Sequence, residues 1–384
     1  MASLLLAITG CSTGAPRSAT NGAASSGVIP EQIISARDTT PACPQCVIAL
    51  DSLTTLGLED DSVTPRDPTS VVQGADQLFY VAPMSEQGRV GVYGWDGHLV
   101  RLLGRTGDGP GELRWAASVA AAPDGSLGVL DFNRILWYPL LGGAPITQVL
   151  DQPLGEFRTL ALPGRGLVVA TEQSMPGRAF VYVDSLGNRR DFGDSLKARA
   201  TVGDGFAPHS LAASGGGHFY AMPWYNTPRI DEWDTNGRLL RRYQLPAPWF
   251  TPYGIEPLRE LQRVGVRGLR LAISSSAWRD RAGLLWTITN VADPRWKVVA
   301  DIGQKDELGA RQPLLSGYDK RLVQDAIIAV YRVTDTSVAL VASRRVDMPL
   351  SRFLSDSVVA ERTQAGREDV GFNLFRYRLR GLLQ

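Results

Sequence analysis

The sequence predicts an all-β fold, a six-bladed β-propeller of four-stranded antiparallel blades. Three observations predict it. Turn signals recur along the whole chain, with short apolar or alternating runs between them, the pattern of spaced strands rather than helices. No long helical period of apolar residues stands out; the one short candidate is "EPLRELQRV" at 256–264. A unit made of an apolar strand, a Gly-containing turn, a second apolar strand, a loop, an aromatic strand, a D-x-x-G or D-G turn and a final strand returns several times. Its length is that of a propeller blade.

The units follow in chain order. The first is "VYGWDGHLVRLLG", with Asp96 at its turn, and the second is "ILWYPLLGGAPITQVL", with Tyr138 near the same place. The third is "FVYVDSLGNRRDF" with Asp184, and the fourth is "IDEWDTNGRLLRRYQL" with Asp234. A degenerate fifth covers "GLLWTITNVADPRWKVV", and "IIAVYRVTDTSVALVASRRV" is a sixth with Asp335. The marker residues stand 42, 46, 50 and then 101 residues apart, and the last interval accommodates two units.

The stretch "LLGRTGDGPGEL", residues 102–113, tests this reading. It is not a P-loop, because no Lys and no hydroxyl residue follow Gly109 in the required places. It is not a dinucleotide fingerprint, because Gly107, Gly109 and Gly111 alternate. Either motif would open a helix, whereas a second turn signal, Pro123-Asp124-Gly125, follows between short apolar runs. The stretch therefore carries the chain from the outer strand of one blade to the inner strand of the next. Glycines permit the positive φ such a crossing needs, and Pro110 ends the ladder. Glu112 is placed either to bond neighbouring amides or to sit in solvent.

At these residues the chain resembles bacterial six-bladed propellers of the NHL-like type, which are often exported lipoproteins. Members carry GxGxGPGEF between blades, then a strand, DG, and V-x-D. Here these fall on Gly104 through Leu113, Asp124-Gly125, and Val129 with Asp131. The stretch "VALVASRRVDMPLSRFLSDSVV" is similar to the last blade of that family. The resemblance covers roughly residues 45–382 and speaks to architecture rather than activity.

The N-terminus agrees with export. Residues 4–8 are apolar but far too few to span a bilayer, and "ITGC" ending at Cys11 resembles a bacterial lipobox, whose Cys is lipidated. Only Met-Ala-Ser precedes the run, without the usual Lys or Arg, so a stray apolar segment is the alternative. The domain plan is a signal segment at 1–11, a Ser/Thr/Ala/Gly/Pro-rich tether at 12–41 and the propeller at 42–384. Two further cysteines form "CPQC". A zinc site would need a second ligand pair, and c-type haem attachment would need His at Val47. Cys43 and Cys46 lie too far apart in an extended strand to bridge, but Pro44 favours a turn that brings them together. A small turn disulfide is expected, with two free thiols as the alternative.

The 384 residues carry 40 basic and 39 acidic side chains, so a nucleic-acid surface built on bulk charge is not expected. In a propeller, the blade-to-blade crossings and the loops between second and third strands share one face around the channel. That face takes Trp115, Arg158 and His209 at the starts of inner strands, and Phe132, Arg134, Trp224, Tyr225, Arg229 and Trp296 in or beside the second loops. For the aromatics the plain alternative is packing between blades; for Arg158 a bridge between blades; for His209 a hydrogen-bonded structural role. Together they form a candidate surface for a carbohydrate, a peptide or an anionic small molecule, or for a partner protein.

The expectation is a monomeric binding module outside the cytoplasm, held to the cell envelope by a lipid on Cys11, with no cofactor. The alternative is a lactonase-like hydrolase or a lyase that uses Ca or another divalent cation in the channel. Of three histidines, His98 and His218 fall in turns of the opposite face, so a multi-histidine zinc site is not expected. Asp67, Glu112 and Glu156 are the carboxylates placed near enough for a hard cation.

Overall fold

The structure is a computed structural model. It describes residues 31–36, 38–56, 68–83, 88–154, 158–171, 178–195, 209–223, 227–250, 272–294, 321, 324–363 and 371–382. The helix expected at 256–264 lies outside these residues. Among the described residues no helix is long and apolar enough to cross a membrane.

Two strands come first, β1 (Gln32–Ser35) and β2 (Val47–Leu56). The first blade is β3 (Pro68–Gln73), β4 (Phe79–Pro83), β5 (Val90–Tyr93) and β6 (Leu99–Leu103). The second is β7 (Ala116–Ala121), β8 (Leu127–Asp131), β9 (Arg134–Tyr138) and β10 (Ile146–Val149). The third is β11 (Arg158–Leu162), β12 (Gly166–Ala170), β13 (Arg178–Val183) and β14 (Arg189–Ser195). The fourth is β15 (His209–Gly215), β16 (His218–Pro223), β17 (Arg229–Trp233) and β18 (Leu239–Gln244). The fifth is β19 (Ile273–Arg279), β20 (Leu284–Ala292), β21 (Gln324–Val333) and β22 (Val338–Val346). The sixth combines β23 (Arg352–Phe353), β24 (Val358–Arg362) and β25 (Phe372–Arg380) with β2. The chain is thus an all-β, six-bladed β-propeller.

Burial explains why the strands read as they do. The middle strands β5, β8 and β12 are buried at every residue, because each face packs on an adjacent blade. The outer strand β10 is mostly exposed. One apolar cluster fills each of the six gaps between successive blades. Val81 and Tyr93 of blade one pack against Leu374 of blade six, for example, and Val169 of blade three against Trp137 of blade two.

Turns on the face away from the crossings repeat one device. Asp96, Asp124, Asp184, Asp234 and Asp280 each accept a backbone N–H from two or four residues ahead, at 2.9–3.1 Å. Short Asp side chains make such local bonds readily, which is why D-x-x-G marks the repeat.

The 101-residue interval is corrected by the structure. Asp234 stands in the third-to-fourth-strand turn of blade four and Asp335 in that of blade five, so the interval holds one blade rather than two. The fifth and sixth sequence units are β20 and β21–β22 of one sheet, separated by a long connection. The sixth blade lies downstream, and its outer strand comes from the N-terminal side of the chain. Pairing runs from Val47↔Arg380 to Leu56↔Phe372 and closes the ring.

The C-terminal strand FNLFRYRLR carries two adjacent apolar residues, Leu374 and Phe375, where strict alternation would place one. Phe372 and Leu374 enter the cluster against blade one, while Phe375 and Tyr377 enter the cluster against blade five. Both faces of β25 are buried, so two adjacent apolar residues need no break in this strand; the irregularity falls on β2, between Ser52 and Thr54.

The N-terminal segment runs along the outer strands of blades four and five and forms that of blade six. β1 adds in parallel to β18, so the stretch expected as a tether includes a strand of the propeller from Gln32. Ala42 and Cys43 donate to Leu340 and Val341 of β22. Cys43 and Cys46 are joined by a disulfide, with Cα atoms 5.3 Å apart.

Candidate functional site

The crossing from blade one to blade two is built from the glycine-rich stretch. Leu113 is fully buried; its N–H donates to Arg105 at 2.8 Å and its carbonyl accepts from Gly107 at 3.2 Å. Glu112 accepts from the Gly109 N–H at 2.8 Å and meets Arg105 at 2.8 Å. The Gly109 amide first, and Arg105 with it, hold the Glu112 carboxyl below its ordinary range. A Cβ on Gly107 would lie 2.1 Å from Glu112 Oε2, so the glycine leaves room for that carboxylate.

The V-x-D aspartate locks this loop. Asp131, with no solvent exposure, accepts from the N–H groups of Arg114 and Trp115 at 3.0 and 2.6 Å and from Arg134 Nε at 2.7 Å. Arg134 then donates to the carbonyls of Asp108, Gly107 and Glu112 at 3.0–3.1 Å. Tyr138 donates to Gly111, and burial pushes its phenol up to about 12.

The remaining candidates occupy several environments. Trp115 is half-buried at the end of the same crossing. Phe132, 49% exposed, sits in the tight β8–β9 turn with φ at 50°, and its carbonyl accepts from Leu154 at 3.1 Å. His209 is buried and packs its ring edge-on against Phe180 of blade three at 4.9 Å. Arg229 lies 3.5 Å from Asp231, whose carboxylate also takes a bidentate contact from Arg242 at 2.7 and 2.8 Å. Trp224, Tyr225, Trp296 and Cys11 lie outside the described residues, as do Asp67 and Glu156. His98 lies in a turn of the far face and His218 opens β16 at that same face.

Arg158 faces the channel. The innermost strands β3, β7, β11, β15, β19 and β23 surround a cavity of about 110 Å³. Its wall includes Arg158, Thr159, Ser210, Ser275, Ser276 and Arg352. In blade four the lining comes from Ser210 and Leu211 rather than His209. Hydroxyls tie neighbouring inner strands together. Ser70 and Ser118 are 3.3 Å apart, Ser118 and Thr159 2.8 Å, and Ser210 donates to the Ser275 carbonyl at 2.7 Å. Ser276 accepts from the Phe353 N–H at 3.1 Å.

Sequence reasoning missed Arg352 and this hydroxyl collar. Arg352 opens β23 and donates from Nη1 to Ser70 Oγ at 3.4 Å. Withdrawal from water, then the charges of Arg158 and Arg362, push its guanidinium below the ordinary value. Arginine keeps its proton in proteins, so this direction reflects a poorly solvated cation rather than a neutral one. The signal in the sequence was the inner-strand position of "SRF", legible only once blade six is correctly bounded.

A second charged group lies at the same end of blade five. Asp293 and Asp325, both buried, and exposed Asp347 bring carboxylate oxygens within 4.8 Å of one another. Arg345 holds Asp325 Oδ2 at 2.5 Å and donates to the Ala292 carbonyl at 2.7 Å. Oxygen donors of this kind suit a hard divalent cation.

No family model matches the chain, and no curated protein matches it. Similar solved structures include a protein from Bacteroides fragilis described as exported, at 11% identity and a TM-score of 0.48, covering 91% of this chain and 99% of that one. A virginiamycin B lyase from Staphylococcus aureus gives 10% identity and a TM-score of 0.44, covering 85% and 99%. A gluconolactonase from Xanthomonas campestris gives 10% identity and a TM-score of 0.43, covering 82% and 87%. At such identities a likeness of this kind leaves function to be argued from the site.

Proposed function

We propose that this chain is a membrane-tethered, extracytoplasmic propeller that binds a ligand or partner at the channel mouth on the crossing face. The observation that carries this reading is the channel wall: polar side chains from different blades converge on one small cavity, held by loops that are internally bonded. Preorganised polar groups at the mouth of a closed β-architecture are a usual setting for recognition. Calorimetric titration of the purified chain with a panel of oligosaccharides, peptides and small anions tests it. Saturable binding that is lost in Arg158→Ala supports the reading; a panel without a binder, or binding indifferent to every channel substitution, contradicts it.

Tethering rests on "ITGC". The chain produced in a bacterial host should partition with membranes, and Cys11→Ala should release it or leave it unprocessed.

The Asp293, Asp325 and Asp347 group favours a second reading, a propeller hydrolase or lyase that holds a divalent ion. Such an ion would polarise substrate or activate water. One stoichiometric ion per chain by elemental analysis, with lactonase or lyase activity lost on chelation, would select this reading over the binding module.

A further inference from the structure

We infer that the ligand group taken into the channel is an anion, a carboxylate or phosphate, bridged between Arg158 and Arg352. This rests on the channel mouth being the binding surface and names its chemistry. Arg158 opens the inner strand of blade three and Arg352 opens that of blade six. In a ring of six, those blades stand opposite each other. Both residues line the same cavity, and the charge of Arg158 is felt at Arg352.

The neighbours of this pair sharpen the inference. Ser70, which accepts from Arg352, is linked through Ser118 to Thr159, the residue after Arg158. Hydroxyls therefore run from the Arg352 guanidinium to the inner strand that carries Arg158, and a hydroxyl can donate to or accept from a bound oxyanion. The charges of Arg158 and Arg362 both reach Arg352. The planar guanidinium fork is well shaped for charge-assisted hydrogen bonds to an oxyanion. The cavity of about 110 Å³ admits one such group and leaves the rest of the ligand at the mouth.

The test titrates the purified full chain with inorganic phosphate and with citrate. Sodium chloride at matched ionic strength serves as the charge-screening control, and a neutral oligosaccharide as the uncharged probe. The expected result is saturable, single-site binding of at least one anion. Either Arg158→Gln or Arg352→Gln should weaken it by more than about tenfold, the loss of one charge-assisted bond. Arg380→Gln, on the exposed end of β25, should leave it unchanged. Phosphate alone binding assigns a phosphoryl ligand; citrate alone assigns a carboxylate. If Arg352→Gln fails to fold, Arg352→Lys, which keeps the charge but loses the fork, should bind more weakly than the parent while melting normally. Absence of binding by both anions, or the same response to chloride, overturns the inference. Binding of the neutral oligosaccharide in that case would leave the channel-mouth reading standing, whereas failure of all probes would remove both.

Discussion

Arg134 and Arg158 look alike in the sequence. Each opens a strand on the crossing face of the propeller. Their structural contexts differ. Arg134 sits opposite Asp131 in the register of the tightest hairpin of blade two, and its donors go to that carboxylate and to three carbonyls of the crossing loop. Arg158 lines the channel, where it meets the field of Arg352 from the far side of the ring. The first arginine holds a loop in shape; the second shares a cavity with a like charge. A charge pair close in sequence builds the scaffold, whereas a pair assembled by ring closure forms the candidate site.

The largest effect should come from removing closure itself. Deleting residues from Phe372 onward takes away β25, which pairs with both β2 and β24. Two sheet edges and two apolar clusters would then be exposed. The truncated chain should be insoluble or lack a cooperative melting transition; a soluble, cooperatively unfolding truncation would show that the ring closes elsewhere.

Next in size is the scaffold pair. Asp131→Ala leaves the Arg134 guanidinium and two amides without their buried partner. Breaking a buried pair in this way costs about 3–5 kcal/mol, measured by denaturant unfolding. Arg158→Ala should cost much less stability, because the residue lines a cavity rather than a packed loop. Equal losses at the two sites would erase the contrast.

Much of the fold was legible because its signals are local. An Asp that bonds an amide two or four residues ahead announces five of the turns, and middle strands buried on both faces read as unbroken apolar runs. Two features were not legible. The long connection between β20 and β21 made one blade look like two, since spacing records residues and not strands. The strand partner of β25 lies at the other end of the chain, so blade six could not be bounded and Arg352 could not be placed in an inner strand. The crossing lock was partly legible, as Asp131 belongs to a quoted motif; its partner Arg134 was read instead as a ligand contact.

Smaller effects complete the comparison. Reducing the Cys43–Cys46 bridge should lower the melting temperature only slightly, because a bridge across so short a loop removes little chain entropy. The turn carboxylates should show themselves on acidification. Hydrogen bonds to Ser126 and Asn188 hold Asp124 and Asp184 below the ordinary carboxylate value. A carboxylate lowered in the folded state stabilises it above the unfolded pKa and loses that contribution as pH falls through the folded pKa. Melting temperature should therefore decline gently below the ordinary carboxylate range, and the decline should be shallower in Asp184→Asn.

The central claim is that the channel between blades three and six takes up an anion. The most direct measurement is an anomalous difference map from crystals of the full chain grown with tungstate, a tetrahedral oxyanion that scatters strongly. A peak within hydrogen-bonding reach of both Arg158 and Arg352, absent in Arg352→Gln crystals, is predicted. Well-occupied tungstate elsewhere on the molecule, with the channel empty of density, would contradict it.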